Sequence, residues 1–350
     1  MARRAGARAP GYPRGAVKAL ILAGGLGTRM RPLTDRVSKQ LLPICNRPFL
    51  EHQVRLLAAH GITETTLLTG YLPDEYTAFC ARMRETLGVD VAISTETKPL
   101  GTAGAVRSVI DRIDGTTLVF NGDCLTDLDI GAAVRAHTGA GAAVTIVLTP
   151  VDDARPYGLV PQDAAGRVTD FLEKPADLVA GWINAGIYVL EPRVLDGVPP
   201  DGFWQFEQQL FPSLLAADEH LLGFRSDSYW IDIGTPQRYL QAHFDVLEGR
   251  AHAEVDGTLI TDTKTFDDGT TLVGPILLSH GPAGAGARIG PLVSIGAGAR
   301  IGAGARIERS VIHERASIGD GAVVEGSIIG RGARVESGAV HSNAVIAAES

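Results

Sequence analysis

The chain has 350 residues, 45% hydrophobic and 21% charged, an ordinary globular balance with length for about two domains. Its net charge of −8 argues against nucleic acid or an anionic membrane as partner, because phosphate surfaces attract basic faces. Cys45, Cys80 and Cys124 show neither a disulfide framework nor zinc-ligand spacing, which points to a reducing, cytoplasmic setting.

Residues 1–16 carry Arg3, Arg4, Arg8 and Arg14 without an apolar stretch, and read as a disordered basic tail rather than a signal peptide. No run approaches about 18 apolar residues, so no membrane span is expected. Residues 17–22 form an apolar run that stops at Gly24-Gly25, as a buried parallel strand does. Residues 48–60 place Leu50, Val54 and Leu57 on one helical face, with Pro48 at the start and Gly61 at the end. A strand follows at 65–69. Thr102 is expected to cap a helix carrying Val106, Val109 and Ile113, and residues 118–120 form a strand ending in Asn121-Gly122-Asp123. This β-α-β alternation implies an α/β domain over 17–250 with a mostly parallel sheet. Ligands of such sheets gather at strand carboxyl ends, here after residues 22 and 120. Residues 159–173 read as an antiparallel hairpin around a Gln162–Gly166 turn, and 251–280 as a connector.

Residues 281–340 hold 14 of the 42 glycines and a six-residue period: Ile289, Ile295, Ile301 and Ile307. Five-residue steps then lead to Ile312, Ile318 and Val324, and to Ile329 and Val335. One aliphatic per six residues with small residues at the corners predicts a parallel β-helix over 281–346, about 18 residues per coil. His313 and His341 read as surface residues of a structural or oligomerising repeat, so the protein is expected to self-associate. An acyltransferase tail is the alternative.

The loop Ala23-Gly24-Gly25-Leu26-Gly27-Thr28-Arg29 lets the backbone approach an anion, with Arg29, Arg31 and Lys39 as cations. Neither G-x-G-x-x-G nor a P-loop fits its spacing. Taken alone, the loop reads equally well as a triphosphate cradle or as a tight turn with a solvated basic rim. Asp123 and Asp232 stand at strand ends, where single aspartates usually serve turns. Two together suit Mg²⁺, which takes one or two carboxylates plus phosphate oxygens.

These stretches, with Ser38-Lys39-Gln40-Leu41-Leu42-Pro43, Pro99-Leu100-Gly101-Thr102-Ala103-Gly104, Phe171-Leu172-Glu173-Lys174-Pro175, Asn184-Ala185-Gly186-Ile187-Tyr188 and Trp230-Ile231-Asp232-Ile233-Gly234, resemble in order the sugar-1-phosphate nucleotidyltransferases. The resemblance implies a Rossmann-like domain followed by a left-handed β-helix, Mg²⁺ as cofactor, and an NTP and a sugar 1-phosphate as substrates. It implies nucleotide contacts by Ala23, Gly24, Gly25, Gly27, Thr28, Gly101 and Thr102, and charge neutralisation by Arg29 and Lys39. Asp123 and Asp232 are the implied metal ligands, and Gly158, Glu173, Lys174 and Asn184 the sugar-phosphate contacts. Several motifs look like the mannose-1-phosphate guanylyltransferase branch, whereas Ser38-Lys39-Gln40 resembles the thymidylyltransferases. Thymidylyl, uridylyl or adenylyl transfer, an unusual sugar or cyclitol phosphate, and a non-catalytic regulatory subunit are the alternatives.

Overall fold

A computed structural model describes residues 17–70, 73–173, 177, 179–279 and 283–348. The expected tail at 1–16 and Lys174 lie outside the described residues. The chain divides into two compact units, one of residues 1–25 and 53–230, the other of 26–52 and 231–350. The division runs through the segment 17–250 rather than at its end, and helix α1 (Phe49–Ala59) crosses it.

The first unit is built on a nine-stranded sheet: β1 (Lys18–Leu22), β2 (Glu64–Thr69), β3 (Asp90–Thr95), β4 (Thr117–Asn121), β5 (Val144–Val151), β6 (Gly158–Leu159), β7 (Leu172–Glu173), β8 (Gly181–Leu190) and β9 (Leu221–Arg225). Its main order is β7-β6-β8-β4-β1-β2-β3, with β5 joined to β8 and β9. Strands β4, β1, β2 and β3 run parallel, and β8 runs antiparallel to β4, β5 and β6. The apolar runs read as buried strands are buried: Ala19, Leu20 and Ile21 in β1, and Leu118, Val119 and Phe120 in β4. Helices α2 (Pro73–Leu87), α3 (Gly101–Arg107), α4 (Ile130–Ala140) and α5 (Phe211–Ala216) complete this unit. The expected hairpin is present, Gln162 bridging Val168 and β6 pairing antiparallel with β7.

Thr102 does not cap its helix. It is the second residue of α3, whose first turn donates instead to a backbone carbonyl: Ala103 and Gly104 N–H both reach Trp204 O, at 2.9 and 3.0 Å. The Thr102 hydroxyl accepts from Phe206 N at 2.9 Å. The helix is also shorter than the apolar spacing suggests, with a 3₁₀ turn at Ile110–Arg112 after it.

The second unit contains helix α6 (Pro236–Leu247) and a parallel β-helix of three sheets. Corresponding strands repeat at Arg288, Arg306, Val323 and Val340, so the coils take 18 and then 17 residues, the shorter step matching the five-residue intervals. Ile289, Ile295, Ile301, Ile307, Ile312, Ile318, Val324, Ile329 and Val335 all face one core. Stacking gives each aliphatic an in-register partner above and below, so burial rather than local turn preference holds the repeat together.

Two expectations change here. The segment read as a connector already contributes strands at Thr258–Ile260, Lys264–Thr265, Thr271–Leu272 and Ile276–Leu278 to the β-helix sheets. Its aliphatics Leu272 and Ile276 join the same core, with Ile260 and Leu278 packed against it, although its outer strands pair antiparallel. His313, read as a surface residue, is buried, with 4% of its surface exposed.

Candidate active site

In the first unit, β1 and β4 end side by side, Leu22 in register with Asn121. Gly122 N–H donates to Leu22 O at 2.9 Å, and a Cβ on Gly122 would lie 2.5 Å from that oxygen. Only glycine permits this approach. It sets Ala23-Gly24-Gly25 beside Asp123. Ala23 N–H is held by Leu68 O at 2.7 Å, and its carbonyl accepts from Tyr76 Oη at 3.3 Å. Gly24 and Gly25 are exposed beyond the strand end, and Gly25 faces open space. Asp123 is half-buried. Beneath its loop, Gln53 Nε2 donates to Asn121 O and Cys124 O, both at 2.9 Å.

The bulge in β8 at Asn184-Ala185-Gly186 meets the same loop. Gly186 has a φ of +70°, and a Cβ there would lie 2.4 Å from Asn121 Nδ2. Cys124 Sγ donates to Ala185 O at 3.2 Å, and Trp230 Nε1 donates to it at 2.9 Å. Asn184 Oδ1 accepts from Gly186 N–H at 2.9 Å, while its amide nitrogen donates to Tyr188 Oη at 2.8 Å and Glu207 Oε1 at 3.3 Å. Tyr188 is fully buried and donates to Glu207 Oε1 at 3.0 Å. Burial, then the Glu207 charge, pushes the Tyr188 phenol up, so it stays a neutral donor. Sequence reasoning missed Glu207. The signal was there: a lone carboxylate between Phe206 and the buried Leu210–Phe211 pair needs a polar partner.

Gly101 and Thr102 lie against residues 202–206. Gly101 has a φ of +71°, and a Cβ on it would lie 2.4 Å from Trp204 O. Glu96 accepts from Leu100 N–H at 3.2 Å at the base of this turn, and burial raises its carboxyl above the usual range, a shift the hydrogen bond opposes. Gly158 and Glu173 are register partners in β6 and β7, with Gly158 buried.

The second unit carries the other predicted residues. Gly27 has a φ of +61°, and its carbonyl accepts from the Thr34 hydroxyl at 2.8 Å. A Cβ on Gly27 would touch Lys39 Cβ and Thr34 Cγ2 at 3.1 Å, so this glycine lets the Lys39 turn close on the loop. Lys39 opens a 3₁₀ turn, Lys39–Leu41, and is buried. Thr28 and Arg29 are exposed. A Cβ on Gly234 would lie 2.8 Å from Asp232 Oδ1 and 3.0 Å from Arg29 Nη2, which places Arg29 beside the Asp232 carboxylate. Asp232 Oδ1 accepts from Gly234 N–H at 3.0 Å, and Oδ2 pairs with Arg238 Nη2 at 2.9 Å.

Among the described residues no three or more His, Cys, Asp or Glu side chains gather as a metal site. Asp123 and Asp232 are each a hard carboxylate, the type of ligand magnesium takes beside phosphate oxygens and water. Asp123 belongs to the first unit and Asp232 to the second.

Residues 18–249 match the family described as nucleotidyl transferase, and residues 273–350 match the GMPPB C-terminal domain. A mannose-1-phosphate guanylyltransferase of Mycobacterium tuberculosis is 37% identical, over 88% of this chain and 83% of that protein. Mannose-1-phosphate guanylyltransferase 1 of Arabidopsis thaliana is 34% identical, over 89% of this chain and 85% of that one. The structure of HddC from Yersinia pseudotuberculosis complexed with GMP-PN superposes with a TM-score of 0.57 at 28% identity, covering 65% of this chain and 97% of that one. Among the described residues no helix is long and apolar enough to cross a membrane. A glycine loop and an aspartate at adjoining strand ends, in a chain whose residues 18–249 match the family model, lead to one conclusion: this protein belongs to the nucleotidyl transferase family.

Proposed function

We propose that the protein joins GTP and mannose 1-phosphate to give GDP-mannose and pyrophosphate. The observation that carries this is the likeness, at 34–37% identity over nearly nine-tenths of the chain, to proteins named for that reaction. In the reaction an oxygen of the sugar phosphate attacks the α-phosphorus in line, and the bond to the β-phosphate oxygen breaks as pyrophosphate leaves. No covalent enzyme intermediate is required, so positioning and charge supply the catalysis.

In this reading the N–H groups of Gly24, Gly25 and Gly27 face the phosphates, and Arg29 and Lys39 balance the charge that develops on the leaving group. Asp123 and Asp232 are each proposed as a magnesium ligand, and the bound ion would neutralise phosphate charge. Thr28, Gly101 and Thr102 border the nucleoside. Because the Thr102 hydroxyl already serves Phe206 N, its contribution is to hold the turn. Gly158 offers backbone, Glu173 and Lys174 the hydroxyl and phosphate contacts. Asn184 retains one acceptor lone pair on Oδ1 for a sugar hydroxyl after bonding Gly186.

The test is pyrophosphate release from each of GTP, ATP, UTP and dTTP with mannose, glucose and cyclitol 1-phosphates. GTP with mannose 1-phosphate should be turned over fastest; a different best pair overturns the substrate assignment, and no release from any pair overturns the activity. Asp123→Asn and Asp232→Asn should each lower kcat by about a hundredfold or more. Near-normal turnover in either removes that residue from the metal site.

A further inference from the structure

The second unit contains a buried polar chain that runs from the β-helix to the turn carrying Lys39. Pro43 O, four residues past Lys39, accepts from Tyr239 Oη and from His243 Nε2, the latter at 3.0 Å. Tyr239 Oη also lies 2.9 Å from His313 Nε2, on the β-helix. His243 Nδ1 accepts from Cys45 N–H at 3.2 Å.

Counting protons fixes every direction in this chain. A carbonyl only accepts, so Tyr239 spends its single hydrogen on Pro43, and His243 must carry its proton on Nε2. The Tyr239 oxygen can then only accept from His313, whose Nε2 therefore bears a hydrogen. His243 Nδ1 receives a backbone N–H, so it is bare and the ring is the neutral Nε2–H tautomer. The order is His313 N–H to Tyr239 O–H to Pro43 O, met by N–H of His243. Tyr239, His243 and His313 are all buried. Both imidazoles are held below their ordinary range by burial, in keeping with neutral rings. The rings pack edge to face, Tyr239 at 4.8 Å from His243 and 6.1 Å from His313.

Pro43 is tied in turn to Lys39. Leu42 N–H donates to Lys39 O at 3.2 Å, Leu41 N–H to Ser38 O at 2.9 Å, and Phe49 N–H to Leu42 O at 2.9 Å. Asn46, three residues on, donates to Ser279 Oγ at 3.1 Å and to Ile295 O at 3.0 Å, a second link to the β-helix. We propose that His313 is a positioning residue for nucleotidyl transfer, fixing the Lys39 turn through Tyr239 and the Pro43 carbonyl. The β-helix thereby completes the nucleotide-binding loop rather than merely following it. This rests on the reading of Lys39 as a triphosphate ligand.

The experiment compares His313→Leu, His313→Gln, Tyr239→Phe, Val335→Ala and Lys39→Ala in the full-length protein. Gln places an amide N–H where the imidazole Nε2 stood, so it can still donate to Tyr239. Val335→Ala weakens the β-helix core away from the chain. His313→Leu, which removes one buried hydrogen bond, should raise KM for the NTP or lower kcat about tenfold, and Tyr239→Phe, which removes two, by at least as much, with KM for the sugar phosphate within about twofold. His313→Gln should restore most of this, and Val335→Ala should leave the kinetics unchanged while lowering Tm. Amide hydrogen exchange at residues 39–45 should quicken in His313→Leu. Unaltered exchange and kinetics in His313→Leu would overturn the proposal, as would a Val335→Ala variant equally impaired. If Lys39→Ala alone keeps wild-type kinetics, the reading of Lys39 fails, and the exchange result still decides whether His313 holds the turn.

Discussion

Replacing Gly101 by alanine tests why the Pro99–Gly104 stretch contains two glycines. Alanine at a φ of +71° costs about 1–2 kcal/mol relative to glycine. Its Cβ would stand 2.4 Å from Trp204 O and 2.8 Å from Trp204 C, whereas carbon contacts settle at about 3.5 Å. Both are backbone atoms, so residues 202–204 would have to retreat by about 1 Å. That movement breaks the bonds from Ala103 and Gly104 N–H to Trp204 O, and strains the Trp204 N–H bond to Leu100 O. Two lost bonds at about 1 kcal/mol each bring the destabilisation to roughly 3–4 kcal/mol. Urea unfolding at pH 7.5 measures this, with Gly115→Ala as control, since a Cβ there meets nothing within 4 Å. The control should stay within about 0.5 kcal/mol of wild type. A Gly101→Ala midpoint equal to that of the control would refute the close-approach account.

Gly139 lies inside α4 with open space around its missing Cβ, so Gly139→Ala should stabilise the protein by about 0.5–1 kcal/mol in the same unfolding assay. His313 is depressed by burial to about 4 in the folded protein, below its ordinary 6.5. Between those values the unfolded chain binds a proton that the folded one refuses, so stability at neutral pH is lost as pH falls from 6.5 towards 4. At pH 5 this amounts to about 2 kcal/mol. His313→Gln should therefore lose about that much less stability than wild type between pH 7 and pH 5; parallel profiles would contradict the buried neutral ring.

The sheet of the first unit was legible because its strands are apolar runs that stop at glycine or at a polar turn, and the β-helix because its aliphatics keep time. What was hidden depends on contacts remote in sequence. Residues 251–280 carry Ile260, Leu272 and Leu278 at multiples of the six-residue step, but the exposed Phe266 interrupts the aliphatic series beside the Asp267-Asp268-Gly269 turn, so their share in the β-helix core did not register. Thr102 looks like a cap from its position, yet a carbonyl 102 residues away takes its place. His313 resembles any polar residue of a repeat until Tyr239 is brought beside it. The glycines around Gly24 and Gly101 were read together as ligand contacts. Gly101 is also required by neighbouring backbone, whereas Gly25 opens on solvent. No alphabet of residue types distinguishes those two uses. Glu207 went unseen because it lies in a helical turn while its partners Asn184 and Tyr188 lie on β8, about twenty residues earlier in the chain.

The uniform rungs of the β-helix quantise how its length can vary. Because Arg288, Arg306, Val323 and Val340 occupy equivalent places, an insertion of one complete turn of chain would present the same edge to the next layer. A fragment of a turn would shift every later aliphatic out of the interior and must bulge at a corner instead. The layers that contact α6 or the Lys39–Asn46 turn, through Ile295, Arg309 and His313, are not interchangeable in this way. Those after Val335 carry no such tether among the bonds described, so growth or shortening by whole layers is accommodated there first.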